Sequence, residues 1–272
     1  MATYVDRVLK QDILLSLDPG RDDCLYRVRR ISSGVNRVVY VTITNLNIIP
    51  EEKRTYGPSV IKELSKLSEW SGDWTTLRVY MDGDRIRCET DAFQPHALPE
   101  EHVLERYPKY DIFSFDVRRS VNHRVSEVVY GGRTAFLKIA RFPFELPLLI
   151  REVEAYHRLA ESDVAPKLIG YVFEESPDRV VGFLVESVEG RVANVADFEE
   201  CSKALEKLHN LVVHGDLCRY NIIITTNGPK FIDFEHSTPI TEAENGLVDD
   251  EKQSLAEKLV DESGAGRPWD MN

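Results

Sequence analysis

The chain has 272 residues, 42% apolar and 29% charged, the mix of a globular protein with room for one large domain or two lobes. Its formal net charge of -12 repels a phosphate backbone or an anionic membrane surface, which sets nucleic acid and membranes aside as partners. Cys24, Cys88, Cys201 and Cys218 lie far apart with no CxxC spacing, arguing against a disulfide framework and a zinc site.

The opening residues, MATYVDRVLKQDILLSLD, carry acids early and no apolar run long enough for a signal peptide or a membrane span, so the cytosol, or cytosol plus nucleus, is the expected location. Cys24 to Ile31 and Val35 to Leu46 are β-branched and alternating, and read as strands with a turn at Ser32, Ser33 and Gly34. A helix is predicted over Gly57 to Trp70, because Val60, Ile61, Leu64 and Leu67 fall at helical spacing after Pro58. TTLRVYMDGDRIRCET reads as a hairpin turning at Asp82-Gly83. The proline-punctuated stretch from Ala92 to Tyr107 reads as a connector.

From about Asp111 the pattern changes. Ile112 to Val117, Ser126 to Tyr130 and Thr134 to Ala140 read as three successive strands, with Gly131-Gly132 turning the second into the third. A helix begins after Pro147, where Leu149, Ile150, Val153, Tyr156 and Leu159 form one apolar stripe. Lys167 to Phe173 and Arg179 to Val188 complete an expected five-stranded sheet. The helix Ala196 to Asn210 then leads into LVVHGDLCRYNIIITTNGPKFIDFEHS.

That stretch carries the chemistry. Asn221 follows Asp216 by five residues and enters a strand; Asn227-Gly228 is expected to form a type I′ turn, and the returning strand ends on Asp233. A hairpin brings its ends together, so Asn221 and Asp233 should lie side by side with Asp216 facing them. Three hard oxygen-bearing side chains suit Mg²⁺, with Asn221 and Asp233 as ligands and Asp216 left to accept a hydroxyl proton. Phosphoryl transfer needs that division of labour, since positioning and charge neutralisation supply most of its catalysis.

HGDLCRYN with FIDFE resembles the catalytic loop and metal-binding aspartate of the protein-kinase-like fold. The resemblance covers about Asp111 to Glu262 and implies an α+β, two-lobed kinase-like fold with a short helical C-lobe. It assigns Lys138 in AFLK to the α and β phosphates of ATP, Glu152 to the ion pair that orients Lys138, and the backbone of Glu186 and Val188 to adenine. Glu154 competes with Glu152 for the ion-pair role, and the register to Leu159 favours Glu152. His214, grouped with the catalytic Asp216, Lys138 and Glu152, is expected to hold the loop by hydrogen bonds. The implied organisation is a strand-rich region over 1–110, a kinase-like N-lobe over 111–188 and a short C-lobe over 189–272.

The chain departs from the kinase pattern in several places. RRSVNHRV, Arg118 to Val125, has no glycine where kinases carry a glycine-rich loop, so either nucleotide binding rests on Arg118, Arg119, Asn122, His123 or Arg124 instead, or it is weak. Phe136 stands where a small residue roofs adenine. Gly215 replaces the arginine that binds a phosphorylated activation loop; Cys218 reads either as a small filler or as a thiol that Arg219 next door makes reactive by lowering its pKa. Glu235 follows Asp233-Phe234, and IDFE is similar to the form found in choline kinases and aminoglycoside phosphotransferases. Few residues follow Asp233, as in minimal kinases such as lipopolysaccharide kinases and the small HGDL-type kinase of tRNA modification. Ser71-Gly72-Asp73-Trp74 extends a similarity to fungal kinase-like proteins sharing GDW, HGDL-x-RYN and IDFE.

The function implied is an ATP- and Mg²⁺-dependent phosphotransferase acting on a hydroxyl of a small molecule or a dedicated protein partner. A pseudokinase that binds without turnover is the second reading. A hydrolase built on His214 and Asp216 is the third, and lacks a nucleophile elbow or a second metal-ligand histidine at useful spacing.

Overall fold

The computed structural model describes residues 12–32, 35–243, 246–264 and 266–267. The chain divides into two compact units. The first takes in the described residues up to Ala97 together with Arg141–Pro143 and Glu174–Arg179; the second holds Leu98–Ala140, Phe144–Phe173 and the described residues from Val180 onward.

In the first unit, β1 (Asp12–Pro19), β2 (Cys24–Ser32) and β3 (Val35–Ile43) form an antiparallel meander. Ser33 and Gly34, the remainder of the predicted turn, lie outside the described residues. Helix α1 (Gly57–Leu64) crosses over to β4 (Thr76–Asp82), parallel to β3, and β5 (Arg85–Thr90) closes the order β1-β2-β3-β4-β5. The helix stops at Leu64, short of the predicted Trp70, yet Trp70 is buried all the same: it packs with Trp74, Val60, Ile61 and Leu64 against Tyr26, Val28, Val39 and Val41. Strand alternation puts Arg27 and Tyr40, paired across β2 and β3, on the opposite face. There Glu174 receives Arg27 Nε at 2.8 Å, Tyr40 Oη at 2.6 Å and Arg179 Nη2 at 3.1 Å.

The second unit holds β6 (Lys109–Asp111), β7 (Asp116–Ser120), β8 (Val125–Tyr130), β9 (Arg133–Ile139), helix α2 (Leu146–Arg158), β10 (Leu168–Phe173) and β11 (Val180–Glu186). Its sheet has six strands rather than five, in the order β6-β10-β11-β9-β8-β7, because three residues at Lys109–Asp111 add a parallel edge to β10. The predicted strand over 112–117 is also corrected. The Asp111 side chain accepts the Phe113 amide at 2.7 Å and turns Ile112–Ser114 into a 3₁₀ helix, so β7 begins at Asp116.

Below this sheet come β12 (Arg191–Val192), helix α3 (Phe198–Leu208), β13 (Val212–Val213), the hairpin β14 (Ile222–Thr225) and β15 (Gly228–Phe231), β16 (Thr238–Pro239) and helix α4 (Leu247–Val260). The hairpin turn is not type I′. Thr225 pairs with Gly228, so Thr226 and Asn227 are the central residues, neither with positive φ, and Gly228 takes the left-handed conformation at φ +104°. Val153, Tyr156, Phe183, Phe231, Phe234, Leu255 and Leu259 belong to one buried core spanning sheet, α2, hairpin and α4. The fold is mixed α+β. No helix among the described residues is long and apolar enough to cross a membrane.

Candidate active site

Lys138 sits on β9 with β11 close beside it: a Cβ on Gly182 would come within 2.4 Å of the Lys138 carbonyl oxygen. Helix α2 opens with Pro147 in its first turn and turns Glu152 inward, 2% exposed. Lys138 Nζ lies 2.6 Å from Glu152 Oε2, 2.7 Å from Asp233 Oδ1 and 3.0 Å from Glu235 Oε1. Glu154, the competing acid, turns away and meets His102 Nδ1 at 3.1 Å.

Charge determines how these groups titrate. Burial by itself would depress Lys138, but Glu152, Asp233 and Glu235 outweigh it and hold the ammonium above the ordinary lysine range. Glu152 is pushed up, first by its burial, with Lys138 opposing. Asp233 goes down: burial would raise it, and the charge and hydrogen bond of Lys138 prevail. Asp233 also adopts φ +65°, uncommon for a residue with a side chain and a form of strain that clusters at functional sites.

The loop ahead of the hairpin is built around His214, fully buried. Its Nε2 faces the Ile232 carbonyl at 3.0 Å and its Nδ1 faces the Asp216 amide at 3.3 Å. A carbonyl only accepts and an amide only donates, so the ring is neutral with its proton on Nε2. Burial lowers its pKa accordingly. Both nitrogens are occupied by backbone, which makes His214 a strut of the loop. Gly215, at φ +80°, has room for no Cβ, since one would stand 2.0 Å from the His236 carbonyl oxygen. Asn221 donates Nδ2 to the Asp216 carbonyl at 3.0 Å, which turns its Oδ1 away from the loop.

Lys138, Glu152, Asn221 and Asp233 line one cavity of about 990 Å³, together with Phe136, Tyr156, Glu186 and Val188. Phe136 forms part of its wall without closing it. The Glu186 amide donates to the Lys167 carbonyl at 3.0 Å, so at that position only the carbonyl is left to face a ligand. Asp216 is exposed, with its Oδ2 3.5 Å from Asn221 Nδ2. The oxygen donors of Asn221 and Asp233, beside an excess of carboxylate over ammonium, fit a hard divalent cation.

The loop that replaces the glycine-rich segment divides its residues. Asn122 Oδ1 accepts the amides of Arg124 and Val125, both at 2.8 Å, and so builds the turn. Arg119 lines the cavity and pairs with Glu127 at 3.1 Å, and His123 lines it too. Arg124 is not among the cavity-lining residues and instead meets Glu235 at 2.6 Å and Glu145 at 3.6 Å. The expected activation of Cys218 by Arg219 is overturned, because burial pushes that thiol up despite nearby backbone amides.

Two further residues belong to the site. Glu235 ties Lys138 to Arg124. Glu251 on α4 accepts the Gly215 amide at 2.6 Å, the His214 amide at 3.1 Å and His209 Nε2 at 2.8 Å, and so fixes the loop carrying Asp216. Burial opposes its ionisation, but His209 and the two amides hold its carboxyl below the ordinary range.

A lysine held by a helix glutamate and lining one cavity with Asn221 and Asp233, while the exposed Asp216 is not among the lining residues, is the arrangement expected of the kinase-like class. The RIO domain model matches residues 180–248, from β11 through Asp216, Asn221 and Asp233 into the start of α4. RIO kinases are atypical protein kinases, and the match supports a kinase-like, ATP-binding phosphotransferase. No curated protein matches the chain.

Proposed function

We propose that the protein transfers the γ-phosphate of ATP to a hydroxyl group on a small molecule or a dedicated protein partner. The observation that carries this reading is the meeting of Lys138, Asn221 and Asp233 on one cavity, with Lys138 held by the buried Glu152. In this reading Lys138 binds the α and β phosphates, Glu152 orients it, and the apolar wall around Phe136, Val188 and Ile223 receives the purine. Asn221 and Asp233 would hold Mg²⁺, which supplies neutralisation of phosphate charge. Asp216 orients the acceptor hydroxyl and takes its proton as the oxygen bonds to the γ-phosphorus and the bond to ADP breaks. His214 and Glu251 position Asp216 through the loop backbone. The IDFE similarity to choline and aminoglycoside kinases supports a small-molecule acceptor within this reading.

Mg-ATP at about a hundred times its dissociation constant should stabilise the protein by about 2.7 kcal/mol, read as a rise in melting temperature. Asp233→Ala should remove that rise, and Asp216→Asn should remove transfer or slow hydrolysis while nucleotide still binds. An unchanged melting curve at saturating Mg-ATP sinks the proposal. A second reading, binding without turnover, is favoured by the grip of Glu235 on Lys138 and by the glycine-free loop. Phosphate transfer that is lost in Asp216→Asn dismisses it.

A further inference from the structure

A second face of helix α2 is turned away from Lys138. Arg151, Glu154, Ala155 and Arg158 stand at helical spacing along it and form one wall of a separate cavity of about 250 Å³. The opposite wall is the chain that leads on from Asp233: Ser237, Thr238 and Pro239, with Val212 and Glu242 beside them. Neither Arg151 nor Arg158 has an ion-pair partner among the described residues. Ser237 is only 5% exposed, and its amide donates to the Phe234 carbonyl, yet among the described residues its hydroxyl has no hydrogen-bond partner. That hydroxyl is available to donate to a ligand in the cavity it lines. Two acids, Glu154 and Glu242, line the walls with the two guanidinium groups, and Glu154 also meets His102 Nδ1 at 3.1 Å.

We propose that this cavity is a binding site for a tetrahedral oxyanion, inorganic phosphate or the phosphate group of a small monoester, held by Arg151, Arg158 and the hydroxyls of Ser237 and Thr238. Guanidinium forks recognise phosphate oxygens in pairs, and hydroxyl donors from the facing wall reach oxygens that a planar carboxylate lacks. The cavity has room for an ester substituent as well as the anion. An occupant would touch both α2, which carries Glu152, and the segment continuing from Asp233.

Equilibrium dialysis of the full chain against labelled inorganic phosphate and, separately, phenyl phosphate tests this. The wild type should take up the anion saturably. Arg151→Gln/Arg158→Gln should weaken uptake by at least about tenfold, as expected for losing charge-assisted hydrogen bonds. Ser237→Ala should weaken it by a smaller factor. Both arginines are exposed, so the double variant should melt as the wild type does in chloride buffer; Ser237→Ala provides the test if it does not. Uptake of phosphate alone identifies the free anion as the ligand, and uptake of phenyl phosphate at higher affinity identifies an ester. No uptake by the wild type, or uptake equal in all three proteins, overturns the proposal; the latter would place the anion in another cavity, such as the one beside Lys138.

Discussion

Two buried charge clusters, one in each unit, show how differently the same side chains can be used. Around Glu174, three guanidinium groups (Arg27, Arg179, Arg37) meet three carboxylates (Glu174, Glu175, Asp73), and the central ions are almost wholly buried. Around Lys138, two cations (Lys138, Arg124) meet four carboxylates (Glu152, Asp233, Glu235, Glu145). The first cluster is balanced and borders a cavity of about 260 Å³; the second is anionic and opens onto about 990 Å³. Balance within the first makes it a fold determinant, whereas the second leaves an excess of negative charge at the wall of a cavity. The difference separates scaffold from site without reference to motif.

The comparison breaks most visibly at Glu174. Glu174→Ala leaves Arg27, 3% exposed, and Arg179, 8% exposed, without their central counter-ion. Stranding buried charge in this way should cost about 3–5 kcal/mol, measured by chemical denaturation. A loss below about 1 kcal/mol would show that the cluster tolerates imbalance and that charge balance is not what separates the two.

Acidity sharpens the comparison because the two central glutamates shift in opposite directions. Burial works against Glu174, yet Arg27 and Arg179 hold its carboxyl below the ordinary 4.5. The unfolded chain therefore binds the proton more tightly, and the stability Glu174 contributes is present above pH 4.5 and lost as pH falls below it. Glu152 is raised, to about 7, chiefly by burial. Here the folded chain binds the proton more tightly, so its contribution declines as pH rises from 4.5 to about 7. Melting temperature against pH should lose the acid-side slope in Glu174→Gln and the slope between pH 5 and 7 in Glu152→Gln. Identical profiles for wild type and both variants would show that neither shift is real.

What the sequence revealed of each cluster follows from how local the contacts are. Asp216, Asn221 and Asp233 share one loop and one hairpin, so their spacing alone placed Asn221 and Asp233 on the same cavity. Lys138 and Glu152 come from a strand and the next helix, and it was the resemblance to kinases, laid over the order of elements, that singled them out. Glu251 was not legible: it reaches Gly215 from 36 residues away, and nothing in the pattern of α4 marks it. Glu235 was visible as a departure from the kinase pattern, but its ion pairs depend on where Arg124 turns. The Arg27–Glu174 pair joins residues 147 apart, and an arginine alternating along β2 reads as solvated until the hairpin tip covers it. In β6 three residues are too few to show a period, and in Ile112–Ser114 a single Asp111 hydrogen bond overrides an apolar run.

Removing charge from the anionic cluster should have the reverse outcome to Glu174→Ala. Asp233→Asn lowers the carboxylate excess around Lys138 and keeps a residue that tolerates positive φ. Its side chain is 45% exposed, so the apo protein should change in stability by less than about 1 kcal/mol while losing Mg-dependent nucleotide stabilisation. A large apo loss with nucleotide response intact would reverse the roles given to the two clusters.

The smallest effect belongs to the rim of the balanced cluster. Arg37 pairs with Asp73, whose side chain is 90% exposed, and more loosely with Glu175 at 3.5 Å. Water already solvates Asp73, and salt screens the pair, so Asp73→Asn should cost about 0.2–1 kcal/mol in dilute buffer and less in about 0.5 M salt. Glu174→Ala, removing an ion that water does not reach, should keep most of its penalty under the same salt. If both losses shrank together with salt, the Glu174 cluster would be solvated in solution, and its balance would be a surface property rather than a constraint on the fold.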